Sequence, residues 1–155
     1  MSDTTPNAQQ QAALEIIEDI LGGAGLDLAA KFAGNDEGVT RVEIVGVHGR
    51  AAFGDQGKAL DALQFLVNQI VGRKVSREIR VMLDCDGYRQ RRSETLIAEA
   101  TAFAQQVIEM QQECELDPLP PHERRIIHNA LQQIEGIRTF SEGEEPDRRL
   151  VIAPA

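Results

Sequence analysis

Apolar positions along the first half of the chain change period several times. From Ala8 to Leu21, residues Ala13, Ile16, Ile17, Ile20 and Leu21 recur at helical spacing, and Gly22-Gly23 closes the run. Leu26, Leu28, Ala30 and Phe32 then alternate, as do Val42 and Ile44 against Arg41 and Glu43. Between them Gly34-Asn35-Asp36-Glu37-Gly38 is turn chemistry, so the pair reads as a β-hairpin. A weakly helical stretch from His48 to Phe53 precedes Gly54-Asp55-Gln56-Gly57. Lys58 to Val71 carries a helical stripe of Leu60, Leu63, Val67, Ile70 and Val71, with Gly72 as its cap. Ile79, Val81 and Leu83 alternate with Arg80 and Met82, a strand ending at Asp84.

After Asp86-Gly87-Tyr88 the period is helical for about seven turns, with Leu96, Ala100, Phe103, Ala104, Val107 and Met110 on one face. Pro118, Pro120 and Pro121 stop any continuation, and a helix over 121–133 takes Pro121 in its first turn. Two short strands follow, Ile137–Phe140 and Arg148–Ile152, joined by an acidic turn at Gly143; Glu115-Leu116-Asp117 supplies a third. The expected fold is α+β, with a polar tail over 1–7, a first domain over 8–86 and a second over 87–155.

Composition narrows the function classes. With 155 residues, 42% hydrophobic but only 4% aromatic and without Trp, the core must be built from Leu, Ile, Val and Ala. No apolar run is long enough to span a bilayer, and the N-terminus lacks a basic and apolar leader, so a cytoplasmic protein without membrane contact is expected. Cys85 and Cys114 lack metal-site or redox spacing, and Cys85, Cys114, His122 and His128 match no usual zinc pattern. No catalytic set, cofactor motif or metal cluster emerges, which points away from an enzyme. The net charge of −9 opposes a generic nucleic-acid binder. Basic residues are nevertheless clustered at Arg73-Lys74 with Arg77 and Arg80, at Arg89/Arg91/Arg92, at Arg124-Arg125 and at Arg148-Arg149. Any nucleic-acid site must be a local patch on an acidic body.

The most specific chemistry lies in Glu123–Leu131, where Arg124 and His128 stand four residues apart on one helical face. A planar guanidinium beside an imidazole suits a phosphate and a base edge. The bland alternative pairs Arg124 with Glu123 or Asp117 and satisfies His128 against a carbonyl. Arg148 and Arg149 alternate on the last strand, one on each face. Arg89, Arg91 and Arg92 open the long helix at its positive end, where either bound phosphate or Asp84 and Asp86 would compensate them.

The Arg-x-x-x-His helix, together with Ser141-Glu142-Gly143-Glu144-Glu145-Pro146-Asp147-Arg148-Arg149-Leu150, resembles the R-three-H single-stranded nucleic-acid-binding domain. The earlier order α-β-β-α-α-β with a Gly-x-x-Gly turn resembles a type II KH domain, whose glycine loop brings backbone amides against the sugar-phosphate chain. KH followed by R-three-H, joined by Leu83–Arg92, resembles the bacterial Jag family over residues 12–153, without the Lys-rich N-terminal module of many members. The resemblance implies a non-catalytic protein that binds single-stranded RNA, or single-stranded DNA, acts post-transcriptionally in the cytoplasm and is tied to envelope growth or division. It implies a separate small KH-domain protein as partner. The nucleic-acid contacts it assigns are Gly54, Gln56, Gly57, Lys58, Arg124, His128, Arg148, Arg149, Arg89 and Arg92. One departure matters: Asp55 stands where the family's loop carries positive charge. At ~6 Å and an effective dielectric of about 20 it opposes a phosphate by roughly 2–3 kcal/mol before screening, and Lys58 offsets part of this. An adaptor whose KH half has lost RNA binding is the alternative.

Overall fold

The computed structural model describes residues 5–47, 49, 53 and 57–155. It divides into two compact units, Met1–Arg89 and Gln90–Ala155, a boundary three residues beyond the expected one. The expected helical stretch at His48–Phe53 and residues Gly54, Asp55 and Gln56 lie outside the described residues, except for Gly49 and the buried Phe53.

In the first unit, helix α1 (Ala8–Gly23) starts at Asn7, whose side chain accepts from Gln10 N at 2.9 Å while Gln10 Oε1 accepts from Asn7 N at 2.9 Å, a reciprocal capping box. Gln10, Ala13, Leu14, Ile17 and Leu21 form its buried face. The glycine pair supplies its last two residues, as expected, and Gly25, at φ +71°, closes it, as Leu26 N donates to Leu21 O and Gly25 N to Gly22 O.

Strands β1 (Ala29–Asp36) and β2 (Val39–Val45) pair antiparallel. The turn is tighter than the sequence suggests. Gly34, Asn35 and Asp36 continue β1, and Glu37-Gly38 alone, at φ +49° and +83°, form a two-residue hairpin. Gly34, at φ +117°, marks a register irregularity after Phe32 instead. β3 (Arg80–Asp84) adds parallel to β2, with Val39 opposite Arg80, in the order β1-β2-β3. A parallel pair requires a long crossover, and it contains α2 (Lys58–Lys74), which runs through Gly72 to a cap at Val75. Thr40, Val42, Ile44, Val81 and Leu83 face Leu60, Val67 and Val71 in the core.

Helix α2 also closes the free edge of β3. Asn68 Oδ1 accepts from Val81 N at 2.9 Å and its Nδ2 donates to Val81 O at 2.9 Å, while Gln64 Oε1 accepts from Leu83 N at 3.0 Å. Two amide side chains thus stand in for a missing neighbour strand.

In the second unit, α3 (Tyr88–Met110; its first two residues belong to the first unit) and α4 (Pro121–Leu131) pack on a small antiparallel sheet of β4 (Cys114–Glu115), β5 (Ile137–Glu142) and β6 (Arg149–Pro154), order β4-β6-β5. Leu96, Ala100, Ala104 and Val107 of α3 meet Ile127, Leu131, Leu150 and Ile152. Phe103 and Met110, expected on the buried face, are exposed. The buried residues of α3 span an arc of about 80°, and those two fall roughly 20–40° outside it. The helix stops at Gln111, at φ +54°, well before the prolines, and Pro121 occupies the first turn of α4 as expected. The fold is α+β. Among the described residues no helix is long and apolar enough to cross a membrane.

Replacing Asn68 by Leu should leave Val81 N and O without partners at about 1–3 kcal/mol each. Urea unfolding should therefore show a loss of roughly 2–4 kcal/mol at unchanged m-value. A stability equal to the parent would contradict the edge-closing role of Asn68.

Candidate nucleic-acid interface

Helix α4 directs Arg124 and His128 to one side, but into different surroundings. Arg124 is 7% exposed. Its Nη1 donates to Leu119 O at 2.5 Å and to Arg148 O at 3.3 Å, and its Nη2 donates to Glu145 Oε1 at 2.5 Å. One guanidinium therefore ties the segment before α4, the β5–β6 turn and the entry to β6 into a single unit. A fork of fixed donors can reach three acceptors at once, which an ammonium cannot match with the same geometry. The expected partners Glu123 and Asp117 are not the ones used. Glu145, from the acidic turn, is.

The same turn is held from the other side. Arg148 Nη1 donates to Gly143 O at 2.9 Å and Nη2 to Ser141 O at 3.2 Å. The carboxyl of Glu145 is held below its ordinary value of 4.5, chiefly by the hydrogen bond from Arg124, which outweighs the opposing effect of desolvation, with the charges of Arg124 and Arg148 lowering it further.

His128 is half-buried. Its Nδ1 lies 2.6 Å from Thr139 Oγ1 on β5, and its Nε2 lies 3.2 Å from Gln132 Nε2 one turn on. With the Gln132 amide nitrogen donating to Nε2, the ring proton sits on Nδ1 and is donated to Thr139. The imidazole is oriented by β5 and remains partly exposed.

The remaining arginines are also engaged. Arg149 Nη1 pairs with Glu115 Oε2 at 3.2 Å, both partners partly exposed. Arg92 donates from Nε and Nη2 to the two carboxylate oxygens of buried Glu123, at 2.9 and 3.1 Å. Glu123 also sits in the first turn of α4, where negative charge suits the helix dipole. In the first unit, Arg89 donates from Nε to Leu83 O at 2.6 Å, from Nη1 to Asp61 Oδ1 at 3.2 Å and from Nη2 to Gln64 Oε1 at 2.8 Å. Its backbone N donates to Asp84 at 3.1 Å. Carboxylates of the protein thus compensate the arginines at the start of α3, Asp61 for Arg89 and Glu123 for Arg92, while Asp84 accepts from the backbone N of Arg89.

Of the glycine loop, Gly57 and Lys58 are described; Gly54 and Gln56 lie outside the described residues. Gly57 caps α2 at φ +64°, and a Cβ there would collide with the Tyr88 ring. Two constraints, left-handed backbone and close approach of an aromatic side chain, demand glycine at this position. Lys58, next to it, is exposed. Sequence reasoning missed the roles of Thr139, Glu145 and Asn68, because each acts on a partner distant in sequence, and even the motif stretch that contains Glu145 does not name its partner. The capping box Asn7-x-x-Gln10 is a signal that could have been read. Among the described residues, no group of three or more His, Cys, Asp or Glu side chains could hold a metal ion.

Residues 94–154 match the family model of the R-three-H domain. Over 145 residues, 93% of this chain, the sequence is 37% identical to the RNA-binding protein KhpB of Clostridium symbiosum. Proteins of the same name from Bacillus subtilis, 35% identical over 115 residues and 73% of this chain, and from Lactiplantibacillus plantarum, 38% over 101 residues and 65%, are also similar. The chain covers 65%, 55% and 31% of the lengths of these three relatives respectively.

Because the folded-state pKa of Glu145 is depressed, its ion pair stabilises the protein above the ordinary carboxylate range, and that contribution is lost as pH falls through the lowered value. Glu145→Gln should therefore flatten the acid limb of the stability–pH curve below about pH 4.5, read by thermal melting from pH 6 to 3. An acid limb unchanged by the substitution would contradict the Arg124–Glu145 coupling.

Proposed function

We propose that the chain, whose second unit carries an R-three-H domain, is a member of the Jag family and a non-catalytic, cytoplasmic protein that binds single-stranded RNA. The observation that carries the reading is the half-buried His128, fixed by Thr139 at the edge of a sheet, in a unit matched by the R-three-H family and in a chain whose relatives are named RNA-binding proteins. The oriented, partly exposed imidazole can stack on a base, and once RNA displaces the exposed Gln132 from Nε2 it can hydrogen-bond a sugar or base edge.

Within this reading, Arg124 acts as a positioning residue, since its buried fork is engaged by three acceptors of the protein itself. Arg148 and Arg149 are half-buried, and each guanidinium has five N–H donors, more than its bonds within the protein consume, so they supply phosphate contacts beside His128. Arg89 and Arg92 contribute mainly to the framework. In the first unit, read as a type II KH domain, the proposed contacts are Gly54, Gln56, Gly57 and Lys58, weakened by Asp55. A separate small KH-domain protein is the proposed macromolecular partner.

Binding of a fluorescently labelled single-stranded RNA, followed against salt, tests the reading. Two or three contacted phosphates give a log–log slope of about −1.4 to −2.1. His128→Ala should lower affinity roughly tenfold, as loss of one base or sugar contact does, while loss of its bond to Thr139 lowers the melting temperature by only a few degrees. No binding at low salt would favour the adaptor reading instead, and an unaltered affinity in the variant would remove His128 from the RNA site.

A further inference from the structure

We propose that the face of β5 turned away from the helices, formed by Phe140 with Arg138, is a stacking platform for one base of a single-stranded RNA. The proposal rests on the RNA-binding reading above and adds a site to it.

β5 is an edge strand, and its burial alternates along its length. Thr139 turns to the helix side, where it holds His128, so Arg138 and Phe140 turn to the other. Phe140 is 38% exposed, and the guanidinium of Arg138 lies 5.7 Å from the centroid of its ring. Among the described residues Arg138 has no carboxylate partner, in a chain with 25 acidic residues and a net charge of −9. A cation without a carboxylate in so acidic a chain, beside an exposed ring, is complementary to a nucleotide. The ring offers a π-face to a base, and the guanidinium offers charge to its phosphate or a second plane to stack on.

On that face Phe140 and Arg138 form the exposed layer, and their neighbours on β6 lie beneath it. Cross-strand register places Val151 opposite Phe140 and Ala153 opposite Arg138, both of them short and buried. The next pair, Glu142 and Arg149, is polar, and Arg149 is turned to Glu115. The position is also continuous with the His128 site. Thr139 and Phe140 are consecutive, about 3.8 Å apart at Cα, so a single strand crossing the β5 edge meets the imidazole on one side and the ring on the other. Duplex bases are already stacked on each other and cannot use such a platform, whereas unpaired bases can. This chemistry selects single strands without selecting a sequence.

The chain has no tryptophan, so Phe140→Trp in the full chain installs a unique reporter. Titration with a short single-stranded RNA should quench its emission over the same concentration range in which the anisotropy of the labelled RNA rises, and an RNA duplex should not. Phe140→Leu keeps an apolar cover over Val151 but removes the π-face. It should weaken RNA binding about tenfold, leaving the melting temperature and the salt slope as in the parent. RNA that binds the Phe140→Trp protein with no change in its emission would overturn the platform while leaving RNA binding intact. So would a Phe140→Leu variant that melts lower yet binds as the parent does, since the ring would then be only a cover for Val151. Absence of RNA binding by the parent protein would remove both readings together.

Discussion

The buried guanidinium of Arg124 is the interaction on which the second unit depends. The β5–β6 turn is acidic, with Glu142, Glu144, Glu145 and Asp147 close in sequence, and its backbone closes on itself with little besides Asp147 N donating to Glu144 O at 2.9 Å. Arg124 supplies what the turn lacks, a positive charge for Glu145 and donors for the carbonyls of Leu119 and Arg148. Charge-assisted bonds to buried carbonyls are worth more than neutral ones, about 1.5–3 kcal/mol each. Glu145 is half exposed, so water and salt screen its pair, and the carbonyl contacts carry more of the structural role. Fixing this turn sets the register of β5 against β6, and that register puts Thr139 beside His128.

The first unit follows a similar logic with neutral groups. Where regular structure ends, a polar side chain from another element completes it. Asn68 and Gln64 close the free edge of β3, and Arg89 joins the end of that strand to α2. Gln64 takes part twice, accepting from Leu83 N and from Arg89 Nη2. Such residues are polar yet placed on the inner side of a helix, and hydrophobic patterning alone would count them as surface. Their satisfied hydrogen bonds explain why an acidic protein with few aromatics can hold two small cores.

Much of the fold is legible in the sequence because period and punctuation agree. The stripes of α1 and α2, the alternation of β2 and β3 and the proline at the start of α4 each combine a pattern with a stop or start signal. Reading glycine as a terminator misplaces two ends. Gly72 lies inside α2 and Gly34 inside β1, because glycine permits a stop without requiring one. The left-handed residues at which the chain stops or turns include Gly25, Glu37, Gly38 and Gln111, and also Gly57, Gly87 and Gly143, where the sequence does signal a turn. Period alone puts Phe103 and Met110 in the core, and α3 buries too narrow an arc to cover them. At the candidate site the i, i+4 pair is visible, but its division into a buried arginine and a half-buried histidine is not. That division is set by Glu145 and Thr139, 21 and 11 residues away from their partners.

The central claim is that Arg124 organises the surface from within while His128 meets the RNA. Side-chain NMR of the full chain, titrated with a single-stranded RNA, tests it most directly. The guanidinium resonances of Arg124 should stay in place and remain protected from exchange, with shifts in the imidazole of His128 and along β5. RNA-induced shifts centred on the Arg124 guanidinium, with His128 unmoved, would contradict it.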